Sequence, residues 1–182
     1  MDSLTLDRKR LAFLIAVPLA WAVLLTFHGS PEPDDVYGSL QDEATKWLVV
    51  HGGTLVFIGL MGWALFLLVE DLPGRAARIS RLAIGPFVLF YGAGEAVLGI
   101  ATGILVEHAN DVPPDERAGA VGAVQELWDN TITDDVLLTL GSAAWIVAVV
   151  GAAVACQIAL LCFAAAAALL ARSRKPSAVP AL

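Results

Sequence analysis

Apolar residues gather along the chain into four long runs, and within each run they occupy every helical face rather than one stripe. A helix that crosses a bilayer needs about 20 mostly apolar residues to span roughly 30 Å of hydrocarbon. The runs cover about 11–27, 47–69, 82–106 and 136–171, and each predicts a span. Pro18 in the first and Pro86 in the third are expected kinks. The fourth is long for one crossing and has no polar loop, so it predicts a single helix projecting beyond the outer surface.

The connections add one further element. From Pro114 to Asp129, proline and acids come first, and Ala118, Val121, Val124, Leu127 and Trp128 then recur at helical spacing. That predicts a short amphipathic helix, lying on the membrane surface or packed on the rim of the bundle. The expected fold is all-α: an integral membrane four-helix bundle with this short helix in its second outer loop. One domain covers 1–172, and 173–182, with Pro176 and Pro180, reads as a short cytoplasmic tail. Arg8, Lys9 and Arg10 ahead of Ala20-Trp21-Ala22 imitate a signal peptide, but apolar residues continue through Phe27. An uncleaved span is expected.

Composition narrows the class. The 182 residues are 58% hydrophobic and 16% charged, with a mean hydropathy of +0.74, too apolar for one small soluble core. A formal net charge of −7 excludes a phosphate-binding surface and hence nucleic acid as a partner. Arg8, Lys9, Arg10, Arg75, Arg78, Arg81, Arg172, Arg174 and Lys175 lie at the two ends and in the second connection, leaving Lys46 and Arg117 elsewhere. The positive-inside rule therefore predicts cytoplasmic termini and a multi-pass protein of the cell membrane. The opposite face is acidic, which keeps it soluble or concentrates cations there. The expected partners are the bilayer and either a second copy or a larger membrane complex.

Glu95 is the one charged-type residue inside a run. A carboxylate within the bilayer costs on the order of 2.5–3.5 kcal/mol, so it should face the bundle interior or a wet cavity. At 1.5 Å per residue it lies about 21 Å from Arg81. Gln157 lies about 22 Å from Arg172, Thr54 about 24 Å from Glu70, and Thr26 about 24 Å from Arg10. Each span thus offers a polar side chain near one level, and Gln157 is the expected hydrogen-bond partner of Glu95. Tyr91 and Gly99 share the face of Glu95, and Gly99 with Gly103 allows close helix approach. The spacing Tyr91-x3-Glu95-x3-Gly99-Ile100-x2-Gly103 resembles a Y-x3-[DE]-x3-GI-x2-G pattern of small four-span bacterial membrane proteins. That resemblance implies no activity.

His28 and His51 fall at the outer ends of the first two spans, where they would ligate a metal with Asp34, Asp35 or Glu43, or a haem iron from two sides. No HExxH or haem-attachment motif accompanies them, and no cofactor is the simpler expectation. His108 lies farther out. Cys156 and Cys162, six apart, point in different directions and cannot pair. Trp47, Trp128 and Trp145 fit an outer aromatic belt, with Trp21 and Trp63 deeper. Walker, GxGxxG and GxSxG motifs are absent. The leading expectation is a pocket, open outward around Glu95, for a small apolar or cationic ligand. The alternatives are a small intramembrane lipid or isoprenoid enzyme using Glu95 as acid or base, an accessory subunit of a larger complex, and the haem or metal site at His28 and His51. Enzyme activity stays open, with the balance against it.

Overall fold

The computed structural model describes residues 8–173, so the tail from 174 onward lies outside it. All regular elements among those residues are helical. In chain order they are α1 (Arg8–Leu25), α2 (Val36–Leu40), α3 (Ala44–Val69), α4 (Arg75–Asp111), α5 (Arg117–Trp128) and α6 (132–173). Within α4, Phe87–Tyr91 and Glu95–Ala101 are π-helical, and α6 opens with a third π-helical stretch, Ile132–Leu138. Three described helices are long and apolar enough to cross a membrane: Ala44–Val69, Arg75–Asp111 and Asp135–Ala165. The first apolar run forms an 18-residue helix that starts on three basic residues, and it does not join those three.

The third run is longer than its hydropathy predicts. Helix begins at Arg75 rather than near Leu82, because its first turns are amphipathic and bury Ala77 and Ser80 while Arg75 and Arg78 stay exposed. Pro86 does not end the helix. Its missing N–H is followed directly by the first π-helical stretch, one of the ways a helix absorbs a proline. Pro18 likewise sits inside an unbroken α1.

Two clusters hold the bundle. At one end, small residues of α4 and α6 meet, with Ala77, Ala83, Ala148, Ala152 and Ala155 buried beside Leu65 and Val69. Small side chains let the two helices approach, and the Ser80 hydroxyl donates to the Ala148 carbonyl at 2.7 Å. Trp145 belongs here, packed on Trp21 and Phe87 at centroid distances of 6.1 and 4.7 Å, and not with Trp47 and Trp128 in an outer belt. At the opposite end, Val36, Leu40, Ala44, Trp47, Val106 and Val124 form a cap from α2, α3, α4 and α5. The helix expected between 114 and 129 is thus α5, and it lies on the rim of the bundle.

Charged groups tie the basic end. Arg10 bridges to Glu70 at 2.9 Å and reaches the Leu67 carbonyl. The Arg81 guanidinium turns back to the C-terminus of α3, where its Nη1 donates to the carbonyls of Val69 (2.6 Å), Leu72 (3.2 Å) and Glu70 (3.3 Å). Val69 and Glu70 carry end carbonyls of the kind that a helix leaves without internal donors, and Leu72 follows in the connection. Arg81→Met keeps the apolar stem and removes the donor, which is expected to cost about 1–3 kcal/mol. Thermal melts of the purified protein should place Arg81→Lys between the two, since a single ammonium replaces the fork only in part.

Candidate functional site

The site is built where the capped end meets the middle of the bundle. On α3, Trp47 and His51 stand four residues apart and share a face. On α4, Tyr91, Glu95 and Gly99 repeat the same spacing opposite them. His28 arrives on the chain just past α1, Trp128 at the end of α5, and Leu138 at the end of the π-helical opening of α6. With Gly94 and Leu98 these residues line a cavity of about 270 Å³. Five of its lining positions fall inside the three π-helical stretches: Tyr91, Glu95, Leu98, Gly99 and Leu138. Single-turn π segments widen a helix locally and recur at functional sites.

His51 and Glu95 form the centre. His51 is 4% exposed and Glu95 8%, and His51 Nδ1 lies 2.6 Å from Glu95 Oε1. The other ring nitrogen, His51 Nε2, is buried with no hydrogen-bond partner. The ring is fixed on its other sides. Trp47 tilts against it at a centroid distance of 4.0 Å, and the His28 ring meets it at 4.7 Å, edge to face. Trp47 is itself anchored, its indole N–H donating to the Gly99 carbonyl at 2.7 Å. Gly99 has no side chain for a steric reason, since a methyl group there would overlap the His51 ring. Any larger residue at 99 would push the imidazole off the carboxylate.

His28 is more open. Its ring is partly covered although the residue as a whole is exposed, and burial holds its pKa below the usual histidine value. The neighbouring His51 lowers it further, against a smaller upward pull from a Gly29 backbone hydrogen bond and Glu95. The His28 ring therefore takes up a proton only at lower pH than a free histidine does.

Of the predicted ligand-binding residues, the structure brings together Glu95, Tyr91 and Gly99. Thr54 is buried one turn along α3 from His51, with its hydroxyl unpartnered, but it does not line the cavity. Gln157 and Thr26 are exposed and lie outside it, and the Thr26 hydroxyl donates to the Val23 carbonyl. The expected Glu95–Gln157 bond is replaced by Glu95–His51. Depth counting failed because Arg81 is a poor marker for the helix edge. Its charge reaches back to the end of α3 while its Cα sits six residues into α4. Counted from Arg75, Glu95 lies about 30 Å along α4, level with His51 at about 28 Å from Glu70.

The ligand set expected for a metal does not assemble as drawn. Asp35 caps α2 by accepting from the Gly38 N–H, and Glu43 pairs with Lys46. Among the described residues no three His, Cys, Asp or Glu side chains are grouped to hold a metal ion. His28 and His51 do meet, but rings already in contact leave no room for a porphyrin between them, so iron ligation from two sides is ruled out in this arrangement. His108 is exposed, and both cysteines are free. Trp47, Trp128 and Leu138 were missed as site residues. For Trp47 a signal existed, since it stands one turn from His51 and faces the Gly99–Gly103 stripe.

Compared with protein-family models, curated proteins and solved structures, the chain finds no match.

Proposed function

We propose that this chain is a four-span integral membrane protein with cytoplasmic termini. It binds a small, largely apolar ligand in the cavity around Glu95 and His51, which opens toward the outer face. The observation that carries this reading is the buried carboxylate–imidazole pair among the residues that line an aromatic-walled cavity. A concave, mostly apolar cavity with a few convergent polar groups is the form that small-molecule sites take. The cavity is at the small end for ligand sites and its other walls are mostly apolar, which favours a compact apolar molecule over a hydrated cation. The site also lies at the bundle end away from Arg10, Arg75 and Arg81, which agrees with an outward opening.

The same pair suits a second reading, in which Glu95 orients His51 for proton transfer to or from a lipid-soluble substrate. A carboxylate that holds one ring nitrogen leaves the other aligned for that work.

Two experiments test the proposal. Native mass spectrometry of protein released from nanodiscs is expected to show a small molecule retained by the wild type. Leu138→Trp, which fills the cavity, should lose it, and equal retention by both would place the ligand elsewhere. For topology, single cysteines at Asp42 and Arg75, in a background without Cys156 and Cys162, are expected to label from opposite sides of intact cells. Labelling of both from outside would overturn the four-span arrangement.

A further inference from the structure

We infer that two copies of this chain pair in the membrane along one face of α6, with the Gln157 side chains of the two copies hydrogen-bonded to each other. The inference concerns the lipid-facing side of α6 and does not depend on what fills the cavity.

The argument starts from what the bundle leaves uncovered. Of the three helices able to cross a membrane, α6 is the least covered: 22% of its most apolar stretch is buried, against 39% for α3 and for α4. Its buried positions, Gly141, Ala148, Ala152 and Ala155, form one stripe turned to the rest of the bundle. The opposite face carries Thr139, Ala143, Ile146, Val150, Ala153 and Gln157, and all six are exposed. Their spacing alternates between four residues and three, which is the heptad seam along which two parallel helices interlock. Beyond Ala155 none of the described α6 positions is buried, and Ile158, Leu160, Leu161 and Phe163 are all exposed. The helix leaves its own bundle as an apolar rod.

Gln157 identifies the partner. No charged residue stands between 136 and 171, so its amide lies in an apolar stretch, about 22 Å from Arg172 and about 33 Å from Asp135 along the helix. Among the described residues it has no hydrogen-bond partner. A helix in lipid satisfies its backbone internally, but a side-chain amide needs a partner on another helix. Two copies inserted in the same direction carry every residue at the same depth. A two-fold axis along the membrane normal therefore sets Gln157 against its own counterpart. An amide both donates and accepts, so the two satisfy each other. Ala143 and Ala153 let the helices approach, and a polar position on such a seam fixes its register. The same symmetry covers the part of α6 beyond Ala155, where the chain itself buries no described position.

The test uses the full chain in liposomes, in a background without Cys156 and Cys162. Donor and acceptor dyes on Asp42→Cys are expected to show energy transfer that falls with lipid dilution along a two-chain binding curve. Gln157→Leu should weaken that association about threefold to tenfold, the effect of one or two intramembrane hydrogen bonds. Gln157 is exposed, so the variant keeps the fold of each copy. Oxidation of single cysteines is expected to join two chains at Ile146→Cys and Val150→Cys, which lie on the seam. It should not join them at Leu140→Cys or Ile158→Cys, which are exposed but lie off it. Energy transfer no greater than that of randomly dispersed chains at every dilution overturns the pairing. Cross-links at Leu140→Cys and Ile158→Cys in place of the seam positions put the interface on another face and overturn the seam. Unchanged association in Gln157→Leu removes the amide as the tie between copies.

Discussion

Glu95→Leu is expected to lose ligand binding and to lower stability by about 2 kcal/mol. The loss has a definite origin. His51 Nδ1, now held by Glu95 Oε1 at 2.6 Å, becomes a second unsatisfied nitrogen on a ring that is already short of one partner. Stranding a buried hydrogen-bonding group costs about 1–3 kcal/mol, although intramembrane measurements average lower, near 0.6. Glu95→Gln separates the two effects. Its amide oxygen still accepts from Nδ1–H, so thermal stability should change little. Ligand retention should fall, because an amide replaces the carboxylate among the residues that line the cavity. Thermal melts and native mass spectrometry on both variants read this directly, and unchanged retention in Glu95→Leu would remove Glu95 from the site.

The second large effect is expected from Gly141→Ala. A Cβ there would stand 2.5 Å from the Tyr91 backbone nitrogen and 2.7 Å from its Cα. Backbone cannot rotate out of the way as a side chain can, so α6 has to move off α4. Overpacking of this kind costs about 1–3 kcal/mol. The displacement also falls beside the site, since Leu138 of α6 packs against Gly94, the residue next to Glu95. Gly151→Ala should be milder, because its nearest neighbours are at 3.1 Å. Gly119→Ala meets nothing within 4 Å and, on helix propensity alone, should be neutral or slightly stabilising. Melting temperatures in that order check the packing, and equal values for the three would refute the close approach of α6 to Tyr91.

Much of this architecture was legible in the chain. Long runs that are apolar on every face have few places to go, so α3, α4 and α6 followed from hydropathy, and α5 from helical spacing between proline and acids. Glu95 stood out for the same reason, as the carboxylate in an apolar run. Its partner was not legible. Helical rise converts residue number to depth only when the starting level is known, and a long arginine displaces its charge from its Cα by most of a turn or more. The π-helical stretches were largely hidden too, because of the three only Phe87–Tyr91 follows a local signal, Pro86. Trp145 misled for a related reason. Hydropathy gives a tryptophan a depth but no neighbour, and here Trp21 and Phe87 claim it.

Those widened turns have a consequence for how the chain can vary in length. A π-helical turn amounts to one residue inserted into an α-helix, and one residue is worth about 100° of rotation. Beyond Glu95–Ala101, α4 goes on to place Val106 in the cap that also holds Trp47 and Val124. Removing a single residue from that stretch would restore regular winding, yet it would turn Val106 out from under the cap while Glu95 kept its place. Cavity and cap are in this sense geared through one helix. The length of the stretch from Glu95 to Ala101 is constrained independently of which apolar residues fill it, and insertions or deletions belong instead in the exposed connections at 112–116 and 129–131.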